Sequence, residues 1–452
     1  MADEQDIDVS RLKREGDNGR PGVRVASLDG GRLRRLSERI AGLNASGASP
    51  LETGRFMARY VWTKLPLLWQ GAATKLKSGR VRSSIKAQLP TDKPVILVHT
   101  LGGGIGDNIV IARFLRDLGA ACGPLEFDVA CNSAGAARWV FETIPGFREC
   151  HSSFLFREIA PLYALAIRIT QVAEVCAYDE RQLALHPKLA SVCRRLEAFV
   201  ADNAGLVAEL PCSSGDFGRR AVYANQTRSS YLHYQAGIAH GGEGFDLRLD
   251  GSVLGRLGLA GKDYVTVHNG FDAAFVVSGQ TSTKTYPRFD EALALLKAQR
   301  PNLTIVQLGT PETSAALAAA DISLVGKTSL AEAAALIGGS RLHLDVDSGL
   351  AHIASVIGAK ALVLFGPSDA DYFGYGQNRN LSPAFCGGCW WINESWMDRC
   401  PRGFAEARCM TSHQPSDVVR EAIAILDSRT AQSARSVSRV TSSADAQLTA
   451  LT

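Results

Sequence analysis

Residues Arg341–Phe365 read RLHLDVDSGLAHIASVIGAKALVLF and hold two apolar runs separated by a short helical pattern. Arg341–Val346 and Ala361–Phe365 are rich in branched apolar residues, which favour buried strands, and Leu350–Ile357 has the apolar spacing of a helix. A strand, a helix and a second strand in this order form a unit whose two strands lie parallel. The stretch therefore predicts an α/β fold built on a parallel sheet.

The same alternation of strand and helix occurs elsewhere in the chain. A predicted strand at Tyr264–His268 precedes that stretch, and an earlier predicted strand at Pro94–Thr100 leads into a predicted helix at Ile109–Leu118. Two such runs indicate two doubly wound, Rossmann-like domains, which we expect at residues 91–255 and 256–427. Ligands of such sheets bind beyond the carboxyl ends of the strands, so the loops at those ends are the first candidates for a site.

The remaining segments are predicted from composition and periodicity. Residues 155–210 show long helical periodicity with few breakers, and Cys212–Arg219 has the composition of a loop. Residues 1–54 are rich in charge, Gly and Ser, and we expect a disordered leader there. The Ser/Thr/Ala-rich residues 428–452 are expected to form a flexible tail.

Basic residues are concentrated near the N-terminus. Residues 1–90 carry a net charge of +8, whereas the whole chain carries +4. The segment 55–90 interleaves aromatic and basic residues, and no acidic residue lies between Glu52 and Asp92. This pattern is typical of a helix on an anionic membrane surface, and also of a helix packed on the main body with its basic face in water. The sequence leaves both interpretations open.

The ends and the hydropathy of the chain bear on its location. The N-terminus is acidic and polar, unlike a signal peptide, and no run approaches 18 uncharged apolar residues. We therefore expect a cytoplasmic protein, with peripheral contact at the inner face of the membrane if the basic segment binds lipid.

A glycine-rich turn follows the first predicted strand and opens the first predicted helix. It reads Gly102-Gly103-Gly104-Ile105-Gly106-Asp107, and glycines at such a place let a ligand approach the backbone at a helix N-terminus. Asp107 has two interpretations. It is either an N-cap that accepts backbone N–H groups or a general base that takes a proton from a hydroxyl group.

Two polar loops follow neighbouring predicted strands in the second domain. In Asp347-Ser348-Gly349-Leu350-Ala351-His352, backbone N–H groups at a helix start suit a diphosphate, and His352 lies one turn into that helix. The alternative is an ordinary capped helix with a surface histidine. Phe365-Gly366-Pro367-Ser368-Asp369 ends the next strand, and two polar loops at one sheet edge favour a shared pocket.

A third candidate precedes another predicted helix. In Ser282-Thr283-Lys284-Thr285-Tyr286-Pro287 a lysine stands among hydroxyl residues, where it can neutralise a phosphate as a point charge. From these residues alone, an ordinary surface lysine is the simpler interpretation.

Taken together, these motifs resemble glycosyltransferase family 9, the heptosyltransferases of bacterial envelope synthesis. Their order matches: Gly106-Asp107, then Lys284-Thr285-Tyr286-Pro287, then Asp347–His352, then Phe365–Asp369. The resemblance is specific over about 260–370 and weaker over 94–118, and it does not cover residues 1–90. The extra glycines of the first turn depart from the family pattern.

The resemblance implies a GT-B fold, in which two domains face each other across a cleft, and an inverting sugar transfer that needs no metal for chemistry. Asp107 becomes the expected base, Lys284 the group that steadies the donor diphosphate, and Asp347 a support for the phosphate loop. The other residues expected to bind the donor are Gly104, Gly106, Thr283, Ser348, Gly349, His352 and Ser368.

Four cysteines lie within 24 residues in the pattern C-x2-C-x10-C-x8-C: Cys386, Cys389, Cys400 and Cys409. Four thiolates at such spacing suit a tetrahedral structural metal, zinc first and iron second, and the alternative is a set of reduced thiols packed among tryptophans. His413 follows and could replace one cysteine. The heptosyltransferases that modify autotransporter proteins carry a similar four-cysteine insertion, with longer spacing.

The expected function is transfer of a sugar from a nucleotide diphosphate, with ADP-heptose as the expected donor and a lipopolysaccharide, another glycan or a protein as acceptor. Two other classes remain as alternatives. A non-catalytic binding protein on this scaffold need not keep both Asp107 and Lys284. A nucleic-acid-binding protein is disfavoured, because the chain after residue 90 is net acidic.

Overall fold

The computed structural model describes residues 23–25, 40–41, 49–51, 53–55, 57–58, 78–90, 93–100, 104–271 and 282–428. The chain forms two compact units. The first comprises Met1–Arg248 with Trp390–Trp396, and the second comprises Leu249–Cys389 with Met397–Thr452. Most of the predicted leader, the centre of the basic aromatic segment, the glycines at 102–103 and the predicted tail lie outside the described residues.

The first unit is built on a six-stranded sheet in the order β1-β6-β5-β2-β3-β4. Four neighbouring strands, β5, β2, β3 and β4, run parallel to one another. Next to them, β6 pairs antiparallel with β5, and the edge strand β1 pairs antiparallel with β6. Its strands are β1 (Val23–Val25), β2 (Val95–Thr100), β3 (Glu126–Cys131), β4 (Phe147–Ser152), β5 (Leu165–Ile169) and β6 (Ala173–Asp179). The order reverses between β2 and β5, where a doubly wound sheet binds its ligand.

Helices cover the first sheet. The longest, α2, has a continuous buried face because its apolar residues recur at helical spacing. The helices are α1 (Ser78–Gln88), α2 (Ile105–Cys122), α3 (Ala134–Phe141), α4 (Phe156–Ile159), α5 (Glu180–Leu185), α6 (Pro187–Asp202), α7 (Ala204–Ala208), α8 (Ser214–Tyr223) and α9 (Tyr231–Ala236). Ile85 of α1 is buried in the core of this unit, so this end of the basic segment packs on the body.

The second unit is built on a wholly parallel sheet in the order β12-β11-β10-β7-β8-β9. Counted along the chain, this is the 3-2-1-4-5-6 arrangement of a doubly wound sheet, with its reversal between β7 and β10. The strands are β7 (Tyr264–His268), β8 (Thr304–Leu308), β9 (Ile322–Ser323), β10 (Leu342–Val346), β11 (Ala361–Leu364) and β12 (Arg379–Leu381). All residues of β7, β10 and β11 are buried, as expected of central parallel strands.

The helices of the second unit follow its strands in turn. They are α10 (Ser252–Arg256), α11 (Phe289–Gln299), α12 (Leu330–Gly339), α13 (Gly349–Val356), α14 (Ala370–Phe373) and α15 (Arg408–Thr411), followed by a helix over 415–428. Phe289 and Leu293 of α11 and Val418 and Ala422 of the last helix enter one core with the strands. None of the described helices is both long enough and apolar enough to cross a membrane.

The two doubly wound units confirm the predicted α/β fold class, but some local predictions were wrong. Residues 155–210 are mainly helical, as expected, but the prediction missed β5 and β6. Cys212–Arg219 was expected to be a loop, yet most of it lies in α8. The expected leader 1–54 contributes the edge strand β1. For the three strands the cause is the same: pairing between distant segments decided the structure against the local pattern.

Candidate functional site

The start of α13 lies at the reversal of the second sheet, directly after β10. Ser348 is the N-cap of this helix, and its hydroxyl accepts the N–H of Leu350 at 3.1 Å. Gly349 is the first residue of the helix. The early N–H groups of a helix have no partners within the helix, and they carry a partial positive charge. The turn therefore has the local structure that anions prefer.

A buried network holds this turn from below. The Asp345 carboxylate accepts the Ser348 hydroxyl at 2.5 Å and lies 2.8 Å from Nδ1 of His268, at the end of β7. The same carboxylate accepts the backbone N–H of Val346 at 2.8 Å and lies 3.1 Å from Nε2 of His343. Burial acts to raise the pKa of Asp345, but the charges of His268 and His343 and their hydrogen bonds hold it well below its usual range. Asp345 therefore stays ionised and fixes the Ser348 rotamer.

Lys284 is paired with Asp347 at the same turn. Its Nζ donates to Oδ2 of Asp347 at 2.6 Å and to the Asp347 carbonyl oxygen at 3.1 Å. The two side chains are 18% and 9% exposed. Burial acts to raise the pKa of Asp347, but the charges of Lys284 and His352, together with the hydrogen bond from Lys284, outweigh it and keep the carboxylate ionised. The ion pair holds the lysine ammonium group beside the start of α13, which an ordinary surface lysine would not do.

Two further predicted residues lie beside Asp347. His352 is nearly buried in α13, and its Nδ1 is hydrogen-bonded to the hydroxyl of Tyr375. Ser368 is buried, and its hydroxyl contributes to lowering the pKa of Asp347. His352 and Asp347 line one small pocket with Tyr375. The loops at 347–352 and 365–369, which were predicted to lie at one edge of the sheet, are therefore adjacent.

The other predicted lysine-loop residue is held by backbone contacts. Thr283 is buried, and its N–H donates to the carbonyl of Met397 at 2.9 Å. The N–H of Lys284 donates to the Ser282 hydroxyl at 3.2 Å. These bonds fix the backbone at the lysine and at the residue before it, so the lysine side chain extends from a well-held backbone.

Asp107 lies at the reversal of the first sheet. Gly104 is the N-cap of α2, with Gly106 buried and Asp107 third in the helix, and no side chain caps the helix. The structure therefore excludes the N-cap interpretation of Asp107. Instead Oδ1 of Asp107 accepts Arg228 at 3.0 Å, and the same guanidinium nitrogen donates to the Thr170 carbonyl, just after β5.

The Asp107–Arg228 pair is asymmetric in exposure. The Asp107 side chain is 39% exposed, whereas that of Arg228 is 4% exposed. The arginine thus holds the carboxylate from the protein side, and the carboxylate keeps access to solvent. Such an arrangement leaves an acid-base group that can reach a ligand hydroxyl.

The four cysteines come together but do not form a closed site. Burial, and then the charges of Cys386, Cys389 and Cys400, raise the pKa of Cys409 to about 12. Burial and the neighbouring thiols likewise raise the pKa of Cys389 to about 11. All four are free thiols, and over the described ranges no three metal-binding side chains have the geometry to hold an ion.

The turn between the first cysteines has the backbone that its glycines allow. Gly387 and Gly388 adopt φ values of 130° and 63°, in the region that favours glycine. An all-sulfur donor set suits zinc or iron, so the residue types fit such a metal. His413 does not extend this set through its Nε2, because that nitrogen is 2.7 Å from the Phe365 carbonyl.

Sequence reasoning missed several residues that support the candidates. Arg228 is 121 positions from Asp107, and Tyr375 is 23 positions from His352. His268 and Asp345 are buried at strand ends, and only the register of β7 with β10 brings them together. A polar residue at the end of an apolar strand was the available signal for these two.

Comparison with known proteins bears on the second unit. The model of glycosyltransferase family 9 (heptosyltransferase) matches residues 256–383. This range contains Lys284, Asp347–His352 and Phe365–Asp369, so the resemblance indicated by these motifs is confirmed there. Asp107, Cys386, Cys389, Cys400 and Cys409 lie outside it. No curated protein matches the chain by sequence.

Several solved structures are similar at low identity. The Escherichia coli ADP-heptose lipopolysaccharide heptosyltransferase II has a TM-score of 0.45 at 14% identity, over 74% of this chain and 99% of its own. The iron-containing dodecameric glycosyltransferase TibC of enterotoxigenic E. coli H10407 has a TM-score of 0.48 at 14% identity, over 76% and 78%. A family 9 glycosyltransferase of Veillonella parvula has a TM-score of 0.43 at 14% identity, over 75% and 98%.

Proposed function

We propose that this chain, a glycosyltransferase whose family 9 match spans residues 256–383, transfers a heptose from ADP-heptose to a bacterial envelope glycan or a protein, with inversion at the anomeric carbon. The observation that carries the proposal is the turn at 347–349, where Lys284 is held beside a helix start. An anion there meets both the ammonium charge and free N–H dipoles.

Each candidate has a role that its surroundings support. The acceptor hydroxyl attacks the anomeric carbon, its proton passes to Asp107, and the bond to the diphosphate oxygen breaks. Negative charge then grows on the departing ADP. Lys284 and the N–H group of Gly349 stabilise that charge, because they are already oriented before the bond breaks. The carboxylate of Asp347 keeps Lys284 in place and takes no part in the transfer.

Two similar structures contain different nucleotide-sugar donors. One TibC structure is described as a complex with ADP-D-β-D-heptose, and an Anabaena structure as a complex with UDP-glucose. We propose ADP over UDP, because the four motifs follow the heptosyltransferase pattern in order. We propose a cytoplasmic reaction, where nucleotide sugars and reduced thiols are both available, and peripheral membrane contact through the basic segment 55–90.

The test of this proposal is a binding panel with ADP, UDP and GDP. We expect ADP to raise the melting temperature of the protein more than UDP or GDP at equal concentration, because ligand that binds the folded state alone stabilises it. Titration calorimetry with ADP checks the affinity directly. If none of the three nucleotides binds, the proposal is wrong.

The cysteines carry a separate part of the proposal. Cys386, Cys389, Cys400 and Cys409 would hold a structural zinc or iron ion, which when bound would neutralise the four thiolates and fix the loop. Because binding requires loss of the thiol protons, we expect metal uptake to weaken as the pH falls. Elemental analysis should find about one ion per chain, and Cys400→Ser should remove it. A stable, metal-free wild-type protein would contradict this part.

A further inference from the structure

The two loops proposed to bind the diphosphate are far apart in sequence but share one neighbour. Lys284 belongs to the loop at 282–287, and Ser368 belongs to the loop at 365–369. His413 lies between the two loops, in a segment that sequence motifs did not assign to donor binding. Its contacts tie both loops to the cysteine segment 386–413.

The side chain of His413 holds the second loop. Its Nε2 lies 2.7 Å from the carbonyl oxygen of Phe365, and only a protonated nitrogen can donate to that acceptor. The ring is 6% exposed, and burial lowers its pKa, so the neutral ring with hydrogen on Nε2 is the form that fits. This bond fixes the carbonyl three residues before Ser368.

The backbone of His413 holds the first loop. Its carbonyl oxygen accepts the hydroxyl of Tyr286 at 3.0 Å. The two rings also meet edge to face, with centroids 6.2 Å apart. Tyr286 is two residues after Lys284 and is 2% exposed. A single residue therefore bonds to both loops, through its ring on one side and its carbonyl on the other.

The cysteine segment also packs directly on Gly366. The N–H of Gly388 donates to the Gly366 carbonyl at 3.1 Å. A Cβ atom at Gly366 would lie 2.2 Å from the sulfur of Met410 and 3.2 Å from that of Cys409. Both ends of the segment thus touch the residue that precedes Pro367 and Ser368, which leaves this loop little freedom to move.

We propose that His413 is a positioning residue for nucleotide binding, which transmits the placement of the cysteine segment to the loops that carry Lys284 and Ser368. This inference rests on the proposed function, since it takes those loops to be the diphosphate site. His413 itself does not touch the nucleotide. It acts by holding Phe365 and Tyr286 at a fixed separation, so that the loops need not be ordered when ADP binds.

The test compares ADP affinity and melting temperature across matched variants. Tyr286→Phe removes only the bond to the His413 carbonyl, and His413→Leu removes the bond to Phe365. Each should weaken ADP binding roughly three- to tenfold, since one hydrogen bond is lost from each loop. His413→Gln should restore much of the affinity, because its amide nitrogen can reach the place of Nε2.

The control is Tyr264→Phe. Tyr264 is equally buried in the same unit, and its hydroxyl donates to the Leu336 carbonyl at 2.7 Å, in contact with neither loop. It should lower the melting temperature as Tyr286→Phe does and leave the ADP affinity within about twofold, well below the effect of one lost hydrogen bond.

Three outcomes would overturn the inference. Unchanged ADP affinity in Tyr286→Phe and His413→Leu, with normal wild-type binding, overturns it alone. So does an equal loss of affinity in Tyr264→Phe, which would mean a general effect of stability. Absence of nucleotide binding by the wild type overturns the proposed function and this inference together. If His413→Leu does not fold, Tyr286→Phe against Tyr264→Phe decides the question.

Discussion

The two units use the same topology to present opposite charges. At the reversal of the first sheet, a buried arginine, Arg228, holds the more exposed carboxylate of Asp107. At the reversal of the second sheet, a nearly buried carboxylate, Asp347, holds the more exposed ammonium group of Lys284. In each pair the buried member fixes the exposed one. The topology of each sheet therefore determines where its candidate site lies. The charge of the more exposed side chain in the ion pair determines what chemistry that site can do.

The two helices that begin at these reversals, α2 and α13, also differ in how their N-termini are capped. Gly104 caps α2 without any side-chain bond, whereas Ser348 caps α13 and is itself held by Asp345. A rigid, polar helix start suits the binding of a diphosphate that must be stabilised as it departs. Because no side chain caps α2, the carboxylate of Asp107 is not engaged as a helix cap. This difference agrees with the proposed division of roles, in which the first unit would accept the proton and the second would bind the anion.

The largest expected effect comes from removing the charge in the first unit. Asp107→Asn keeps the size of the side chain and can still accept Arg228, but it cannot take a proton. We expect sugar transfer to fall by roughly 10²- to 10⁴-fold, the usual contribution of a general base. Release of ADP from ADP-heptose with an envelope acceptor fraction measures the rate, and calorimetry should show ADP affinity unchanged.

The control for this variant is Asp216→Asn in the same unit. Asp216 forms an exposed pair with Arg219 on one helix, and such pairs contribute little. Its turnover should match that of the wild type. Full turnover in Asp107→Asn would remove Asp107 as the base and with it the division of roles between the units.

A smaller effect is expected from the second unit. Lys284→Ala removes the ammonium group and leaves the Asp347 carboxylate unpaired beside the helix start, where it would repel a diphosphate. We expect ADP affinity to fall by about 10- to 100-fold, corresponding to 1.4 kcal/mol for each factor of ten, together with a lower melting temperature. Titration calorimetry and thermal unfolding measure the two effects.

Lys297→Ala separates the site from the loss of an ion pair as such. Lys297 also pairs with an aspartate, Asp321, and with the Leu303 carbonyl, but these precede β9 and β8 at the amino edge of the same sheet. It should change ADP affinity by less than about twofold, as expected of a surface pair remote from a ligand. Equal losses in both variants would break the comparison.

The sequence predicted the second unit better than the first, and the reason is physical. Strands β7, β10 and β11 are continuous apolar runs that are buried on both faces, so they stand out against their helices. In the first unit, β5 and β6 pair antiparallel near an edge, and four of the seven residues in β6 are only partly buried. Their mixed Ala-rich pattern resembles a helix, and only the pairing shows otherwise.

The candidate site shows the same limit. Glycine- and serine-rich turns at strand ends could be found because a helix start leaves a local signature. Partners such as Arg228 and Asp345 could not, because their role depends on the register of the sheet and on contacts across more than 60 residues. The turns at strand ends were therefore easier to predict than the side chains that hold them.

Two histidines, His99 and His268, extend the comparison of the two units to the pH dependence of stability. His99 lies near the carboxyl end of β2, and His268 at the carboxyl end of β7, so each stands on the strand at the reversal of its sheet. His268 is bonded to the buried Asp345. His99 instead stacks on Phe156, and among the described residues its Nδ1 has no hydrogen-bond partner. Burial, and then the charge of Arg168, lower the pKa of His99 to about 4.

The smallest expected effect follows from this difference. An unfolded histidine binds a proton near pH 6.5, whereas folded His99 binds one only near pH 4. The unfolded chain therefore takes up the proton first as the pH falls, and stability is lost between pH 6.5 and pH 4, by about 3 kcal/mol at most.

His99→Leu keeps an apolar contact with Phe156 and should remove that part of the pH dependence, whereas His186→Leu, at a partly exposed turn, should not. The measurement is the midpoint of denaturant unfolding at the two pH values. If the free energy of unfolding of the wild type and of His99→Leu depends on pH in the same way, His99 does not cause this loss of stability. The two sheet reversals would then not differ in this respect.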